Sequence, residues 1–274
     1  MLTEANSRKS VILCADDYAF HVQASQGILS LARAGRISAT SVMVLSPRWQ
    51  EDSAPLRELS ANIDVGLHLD WTSYFACEAG HGKGLFKLMS QAFMGKLPTE
   101  LVTGVIERQL DLFEAHWGAP PDYLDGHQHV QQFNGIRQVL FDVIQRRYEN
   151  RPYCRCSYFP QGQRSLKSWV ISSMGARSFI ELAKEAKVPI STALLGIYDF
   201  KATGEEYGQY MKNWLIRAPE GAIIMCHPAN SDTHGDPIGM ARLQEFSYLS
   251  SSLFLQHLKD AQVTLSHGEC LSLQ

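Results

Sequence analysis

Residues 125–129 place an aspartate and two histidines at alternate positions, Asp125-Gly126-His127-Gln128-His129, directly after the apolar pair Tyr123-Leu124. If the stretch is extended, the three side chains share one face, because strand side chains repeat with period two. Neutral imidazole is the commonest protein ligand for divalent metals, and a carboxylate is its usual companion. The plainer reading is a pair of surface histidines in a polar turn, and an isolated H-x-H does not decide between the two. Three further groups bear on the choice. The acidic pair Asp16-Asp17 ends the apolar run Val11-Ile12-Leu13-Cys14-Ala15, His68 lies within Ile63 to Leu69, and His227 follows Ala222-Ile223-Ile224-Met225-Cys226. Alone, each has an ordinary explanation: acids cap helix N-termini, a strand histidine hydrogen-bonds, and His227-Pro228 marks a turn.

The elements that carry these groups make their joint placement informative. Strand-like runs occupy Val11 to Ala15, Ile37 to Leu45, Ile63 to Leu69, Tyr123-Leu124 with the motif after it, Cys154 to Tyr158, Ile190 to Leu195, Ala222 to Cys226 and Val263 to Ser266. Helical patterns separate them: one closing on Ala34-Gly35, one around Trp49 to Ser60, Thr99 through Trp117 with Thr99-Glu100 as cap and acidic first turn, Gly135 to Tyr148, one ending at Lys187 after a polar stretch that follows Phe159-Pro160, Glu205 to Arg217, and about Met240 to Ala261. About eight strands alternating with helices argue for a parallel sheet with helical crossovers. In such a protein the strand C-termini open onto one side, where active sites are assembled from several strand ends. Asp16-Asp17, His68, Asp125/His127/His129 and His227 all fall at such ends. An open sheet would hold the first and seventh strands farther apart, so their convergence favours a closed or nearly closed barrel. From Asp70 to about Pro98 the chain reads as a long irregular insertion after the third strand, and its aromatics Trp71, Tyr74, Phe75, Phe86 and Phe93 favour an ordered flap.

Composition narrows the function classes. The chain has 274 residues, 45% apolar and 19% charged, which suits one globular α/β domain over 1–274 with residues 1–9 as a loose tail. A net charge of −3 gives no overall basic face, so nucleic acid and anionic membrane are poor candidates for a partner. The N-terminal residues lack the apolar core of a signal peptide, and no stretch approaches a membrane span. Six cysteines form no C-x-x-C pair, and Cys14 and Cys226 sit inside apolar runs, which points to a reducing, cytoplasmic setting.

Ala15-Asp16-Asp17-Tyr18, Gly66-Leu67-His68-Leu69, Leu124-Asp125-Gly126-His127-Gln128-His129-Val130 and Met225-Cys226-His227-Pro228-Ala229 resemble, in order and spacing, the YdjC-like carbohydrate deacetylase family. Thr40-Ser41 also fits, and the resemblance runs from about residue 10 to 268. It implies a distorted TIM-like (β/α) barrel, one divalent metal ion (Mg²⁺ or Zn²⁺), and hydrolysis of an N-acetyl group on an amino sugar, as in chito-oligosaccharide deacetylases. By motif matching, Asp17, His68 and His127 look like metal ligands, Asp16 like the base that activates water, and His227 like a group assisting the leaving amine or the oxyanion. Asp125 and His129 then fall behind the metal or on the substrate wall, with Trp71 and Tyr18 as substrate-facing aromatics. The chain departs from the family pattern at Tyr18-Ala19-Phe20, where a glycine is common, and at Gln131, where a third histidine is frequent.

The implied partner is a small saccharide; the sequence is silent on assembly, and a homodimer is left open. Other site chemistries also fit part of the pattern. Two histidines and a carboxylate form the facial triad of non-haem iron oxygenases, although the βα alternation speaks against that fold. An amidohydrolase-like barrel would have no evident use for Asp16-Asp17, and a non-catalytic binder of N-acetylated sugars would need no metal.

Overall fold

The computed structural model describes residues 8–159 and 173–271. Its strands are β1 (Lys9–Tyr18), β2 (Ala39–Val42), β3 (Asp64–Leu69), β4 (Tyr123–Gly126), β5 (Tyr153–Cys154), β6 (Leu194–Leu195), β7 (Ala222–Cys226) and β8 (Val263–Leu265). They hydrogen-bond in the order β5-β4-β3-β2-β1-β7-β6, all parallel, and β8 pairs only with the start of β1. The two edges of this curved sheet meet through an isolated bridge between Cys154 and Ile190. The bridge is made by Cys154 N donating to the Pro189 carbonyl at 2.9 Å and Ser191 N to the Cys154 carbonyl at 3.1 Å, and Leu194 N adds a bond to the Tyr158 carbonyl at 2.8 Å. The result is a seven-strand barrel closed by a bridge, with β8 outside the ring.

Two-sided burial explains the continuous apolar runs. Along β1, Val11, Leu13 and Ala15 face the helical layer, while Ile12 and Cys14 face the lumen. The lumen is filled by Ala39, Tyr123, Tyr153, Leu194, Ile223 and Met225. Tyr123 and Tyr153 stack at 4.9 Å, and Gly66 leaves them room: a Cβ there would lie 2.5 Å from the Tyr123 ring. Outside, the helix Thr99–Trp117 buries Val102, Val105, Ile106, Gln109, Leu110, Phe113 and Trp117, a stripe at helical spacing.

Several expectations need correction. Residues 70–98 are irregular only in part: they include the helices Tyr74–Glu78 and Leu85–Phe93. The glycines that looked like loop markers include Gly80 (φ 86°) and Gly95 (φ 65°), which sit just past those helices in the left-handed conformation that ends them. The cap of the long helix is Pro98, with no side-chain bond, rather than Thr99. The helix expected from Met240 to Ala261 is two, Gly239–Ser250 and Ser252–Asp260, divided at an extended Ser251 whose side chain accepts from Phe254 N. Lys9, the last residue of the expected tail, already belongs to β1; residues 1–7 of that tail and the polar stretch at 160–172 lie outside the described residues.

Candidate active site

Asp16 and Asp17 are consecutive on β1, so a regular strand would point them to opposite faces. The β1–β2 register slips between Ala15 and Tyr18, and Asp17 adopts φ 70°. This bulge with a left-handed residue lets both carboxylates open into one cavity. A second departure from regular geometry lies at the motif of residues 125–129. The strand stops at Gly126 and a 3₁₀ turn follows, with Gln128 (φ 55°) and His129 (φ 61°) both left-handed. The expected single strand face of Asp125, His127 and His129 therefore does not exist. Asp125 points inside the barrel, while His127 turns back toward Asp17.

Asp17, His68 and His127 come together. Asp17 Oδ1 lies 3.5 Å from His68 Nε2 and 3.3 Å from His127 Nδ1, and one ligand atom from each residue falls within 4.8 Å of the other two. That same Oδ1 is buried without a hydrogen-bond partner, whereas Oδ2 accepts from Arg242 Nη2 at 2.7 Å. A buried carboxylate oxygen left bare between two imidazoles fits a divalent ion, whose loss of hydration such a donor set replaces. The charge balance agrees. Buried Asp16, Asp17 and Asp125, with Asp236 at the wall, outnumber the two guanidinium groups they pair with, Arg155 and Arg242, and their other near neighbours are imidazoles. Cys14, Asp16 and Asp125 also approach one another, but they do not form a second metal site. Burial, reinforced by Asp16, pushes the Cys14 thiol far up, and Arg155 already occupies both carboxylates.

The ligands are held from behind. His68 and Asp125 are paired positions on β3 and β4, and His68 Nδ1 meets Asp125 Oδ1 at 2.6 Å. This is the carboxylate–histidine arrangement that fixes the ring and aims its other nitrogen at a metal. Burial opposes a charged His68, but Asp125 outweighs it and raises the imidazole to about 9. Arg155, with no exposed surface, donates from Nη1 to both oxygens of Asp16 (2.7 and 2.9 Å), and its Nη2 forms a 3.1 Å ion pair with Asp125 Oδ2. Burial works against ionised Asp16, yet Arg155, with His68 and His227, holds its carboxyl well below the usual range. Asp17 is held low in the same way, chiefly by Arg242 against burial.

His227 stands on the other side of Asp16, with Nε2 3.8 Å from Asp16 Oδ2. Its backbone N–H donates to Glu245, which also accepts from the Tyr198 hydroxyl at 2.6 Å. Burial lowers the His227 imidazole to about 4 despite the nearby aspartates, so it is neutral at pH 7. Burial, with Arg155 adding to it, also keeps His129 neutral on the cavity wall. Two of the sequence-predicted residues stay away from the cavity. Tyr18 is fully buried, its hydroxyl donating to the Asp52 carbonyl at 2.7 Å, and Trp71 is buried against His81. Gln131 holds the Arg155 carbonyl at 3.1 Å, so it supports the arginine from behind.

The sequence reading missed Arg155, Arg242, Asp236 and Glu245. Arg155 had a signal, since it is the charge inside the apolar run Cys154 to Tyr158. Arg242 and Glu245 are three apart on the helix Gly239–Ser250 and face inward, but a charged pair at that spacing looks like an ordinary solvated surface.

A parallel α/β barrel with an Asp-His-His cluster at the C-terminal ends of its strands has the donor set of a divalent-metal site. The family follows from the sequence: residues 10–260 match the model described as YdjC-like protein, and the chain belongs to that family. It is 23% identical over 280 residues to an Enterococcus faecalis protein named carbohydrate deacetylase, covering 97% of this chain and 100% of that one. A Yersinia enterocolitica protein named chitooligosaccharide deacetylase is 23% identical, with 96% and 99% covered. The human protein named carbohydrate deacetylase is 25% identical over 150 residues, which span 50% of this chain and 46% of that one. Among solved structures, an E. faecalis protein described as a cellobiose-phosphate cleavage protein superposes with a TM-score of 0.73 at 23% identity, over 96% of this chain and 98% of that one. It shares the fold. No helix among the described residues is long and apolar enough to cross a membrane.

Proposed function

We propose that this chain is a divalent-metal-dependent carbohydrate N-deacetylase, hydrolysing the N-acetyl group of an amino sugar or oligosaccharide. The observation that carries the reading is the bare Asp17 Oδ1 between His68 and His127, with Asp16 and His227 beside it. Asp17, His68 and His127 would hold one ion, Mg²⁺ or Zn²⁺, which supplies polarisation of the acetyl carbonyl and a more acidic water. Asp16 accepts the proton of that water. Because Arg155 holds its carboxyl low, Asp16 is fully ionised at neutral pH and passes the proton on readily. The amide nitrogen becomes basic once the attack removes its resonance, and it receives this proton as it departs. His227, neutral in the resting site, donates a hydrogen bond from Nε2 to the carbonyl oxygen as negative charge develops there.

The Asp16–Arg155 pair supports catalysis over simple sugar binding, since a binding module has no use for a buried carboxylate kept ionised next to a metal triad. The names of the family relatives support the substrate class. The test separates the two aspartates. Asp16→Asn should keep stoichiometric metal binding while turnover falls by about 10²–10⁴-fold. Asp17→Ala should lose both, and undiminished metal binding in that variant contradicts the assignment.

A further inference from the structure

The cavity above the triad, about 750 Å³, has walls unlike its floor. The floor carries Asp16, Asp17, His68, His127 and His227. The outer wall is built from Leu85, Phe86 and Met89 on the helix Leu85–Phe93, Ile197 and Phe200 beyond β6, and Ile238 just before the helix Gly239–Ser250. Phe86 stands at the mouth, 84% exposed. The polar side chains on the same wall are already engaged. The Ser73 hydroxyl donates to Asp70 and accepts from Phe75 N and Ala76 N. Asp236 accepts from Arg242 Nε at 2.6 Å and Ile238 N at 3.0 Å, with His21 Nε2 at 3.3 Å. Beyond these, Arg155 and Arg242 are bound to Asp16 and Asp17, His129 is buried, and Gln128 and the half-exposed Tyr74 bring polar groups to the rim.

This wall is a poor match for a chain of sugars. Each further sugar residue brings hydroxyls that lose water on entering and need new partners. Aromatic faces can stack on a sugar ring, and Phe20 and Tyr74 line the cavity with Phe86 and Phe200, but Leu85, Met89, Met174, Ile197 and Ile238 offer only aliphatic surface. An alkyl, acyl or aryl group has no such demand and gains from leaving water.

We propose that the substrate is an N-acetylated amino sugar bearing an apolar aglycone, which seats on Leu85, Phe86, Met89, Ile197, Phe200 and Ile238 while the acetamido group reaches the triad. The proposal rests on the deacetylase reading of the floor and adds the class of group attached to the sugar.

The test compares the methyl, octyl and phenyl β-glycosides of N-acetylglucosamine with N,N′-diacetylchitobiose, by calorimetric binding and by acetate release. Octyl or phenyl glycoside should bind roughly tenfold or more tighter than methyl glycoside, and chitobiose no tighter than methyl. A preference for octyl identifies a lipid-like chain, and one for phenyl an aromatic aglycone. Phe86→Ser, at an exposed position that leaves folding intact, should remove most of the gain. Equal binding of octyl, phenyl and methyl glycosides, or higher kcat/KM on chitobiose, overturns the aglycone proposal and leaves the deacetylase reading standing. Tight, Phe86-dependent octyl binding with no acetate from any compound supports the apolar site and sinks the deacetylase reading instead.

Discussion

Replacing Asp125 by Asn should change how metal binding depends on pH more than it changes metal binding at pH 7. The substitution keeps the side-chain shape and an acceptor for His68 but removes the charge that holds its proton. A metal takes only neutral imidazole, so binding must expel a proton from any His68 that carries one. With His68 near 9, that expulsion at pH 7 spans about two units, costing about 3 kcal/mol or on the order of 100-fold in affinity. Removing Asp125, the strongest of the three carboxylates that hold the proton, removes most of this cost. The same change loses the outer carboxylate that aims His68, which typically weakens metal binding about 10–100-fold. The two effects nearly cancel at pH 7, and only the loss remains above pH 9. Calorimetric titration of EDTA-stripped protein, in buffers of different ionisation enthalpy, counts the protons released. The wild type should release about one more proton per metal than Asp125→Asn at pH 7, and should pull ahead in affinity as the pH rises to 9.5. Equal proton release in both proteins, or a full loss of affinity already at pH 7, refutes the role given to Asp125.

Other outcomes follow from the same geometry. Arg155→Met leaves Asp16 and Asp125 buried without their cation and should cost about 3–5 kcal/mol in urea unfolding, against about 1 kcal/mol or less for an exposed ion pair. Burial raises Glu245 from 4.5 to about 7, so the folded protein holds this proton more tightly than the unfolded chain. That stabilisation is complete below pH 4.5 and is lost as pH rises through 7, a span of about 3 kcal/mol. The fall in unfolding free energy between pH 5 and pH 8 should therefore be smaller in Glu245→Gln than in the wild type. Trp71→Phe should lower thermal stability and leave KM for the sugar unchanged, because Trp71 is buried away from the cavity; a raised KM would restore it to the substrate wall.

The barrel was legible because parallel strands covered on both faces leave continuous apolar runs, and each run predicted from the sequence overlaps an observed strand, though at β5 by Cys154 alone. The gathering of the candidate site was legible as far as its residues end strands: Asp16-Asp17, His68 and His227 needed only the rule that strand C-termini share a side. Backbone geometry was not legible. Nothing in Asp125-Gly126-His127-Gln128-His129 announces that the strand stops at Gly126, or that Gln128 and His129 turn left-handed to bring His127 round. The bulge that turns Asp17 beside Asp16 is hidden in the same way, since non-glycine residues there give no local cue. Arg155 and Arg242 were missed because a buried guanidinium declares itself only through its partners, which come from strands and helices far away in sequence.

The central claim, that the Asp17-His68-His127 cluster holds a metal used to hydrolyse an N-acetyl group, is tested most directly by acetate release. N-acetylated saccharides and glycosides are incubated with purified protein as prepared, after EDTA, and after add-back of Mg²⁺ or Zn²⁺. The account predicts equimolar acetate and free amine, lost with EDTA and restored by one of the ions. Release that survives complete metal removal, or metal-loaded protein that frees no acetate from any compound, contradicts it.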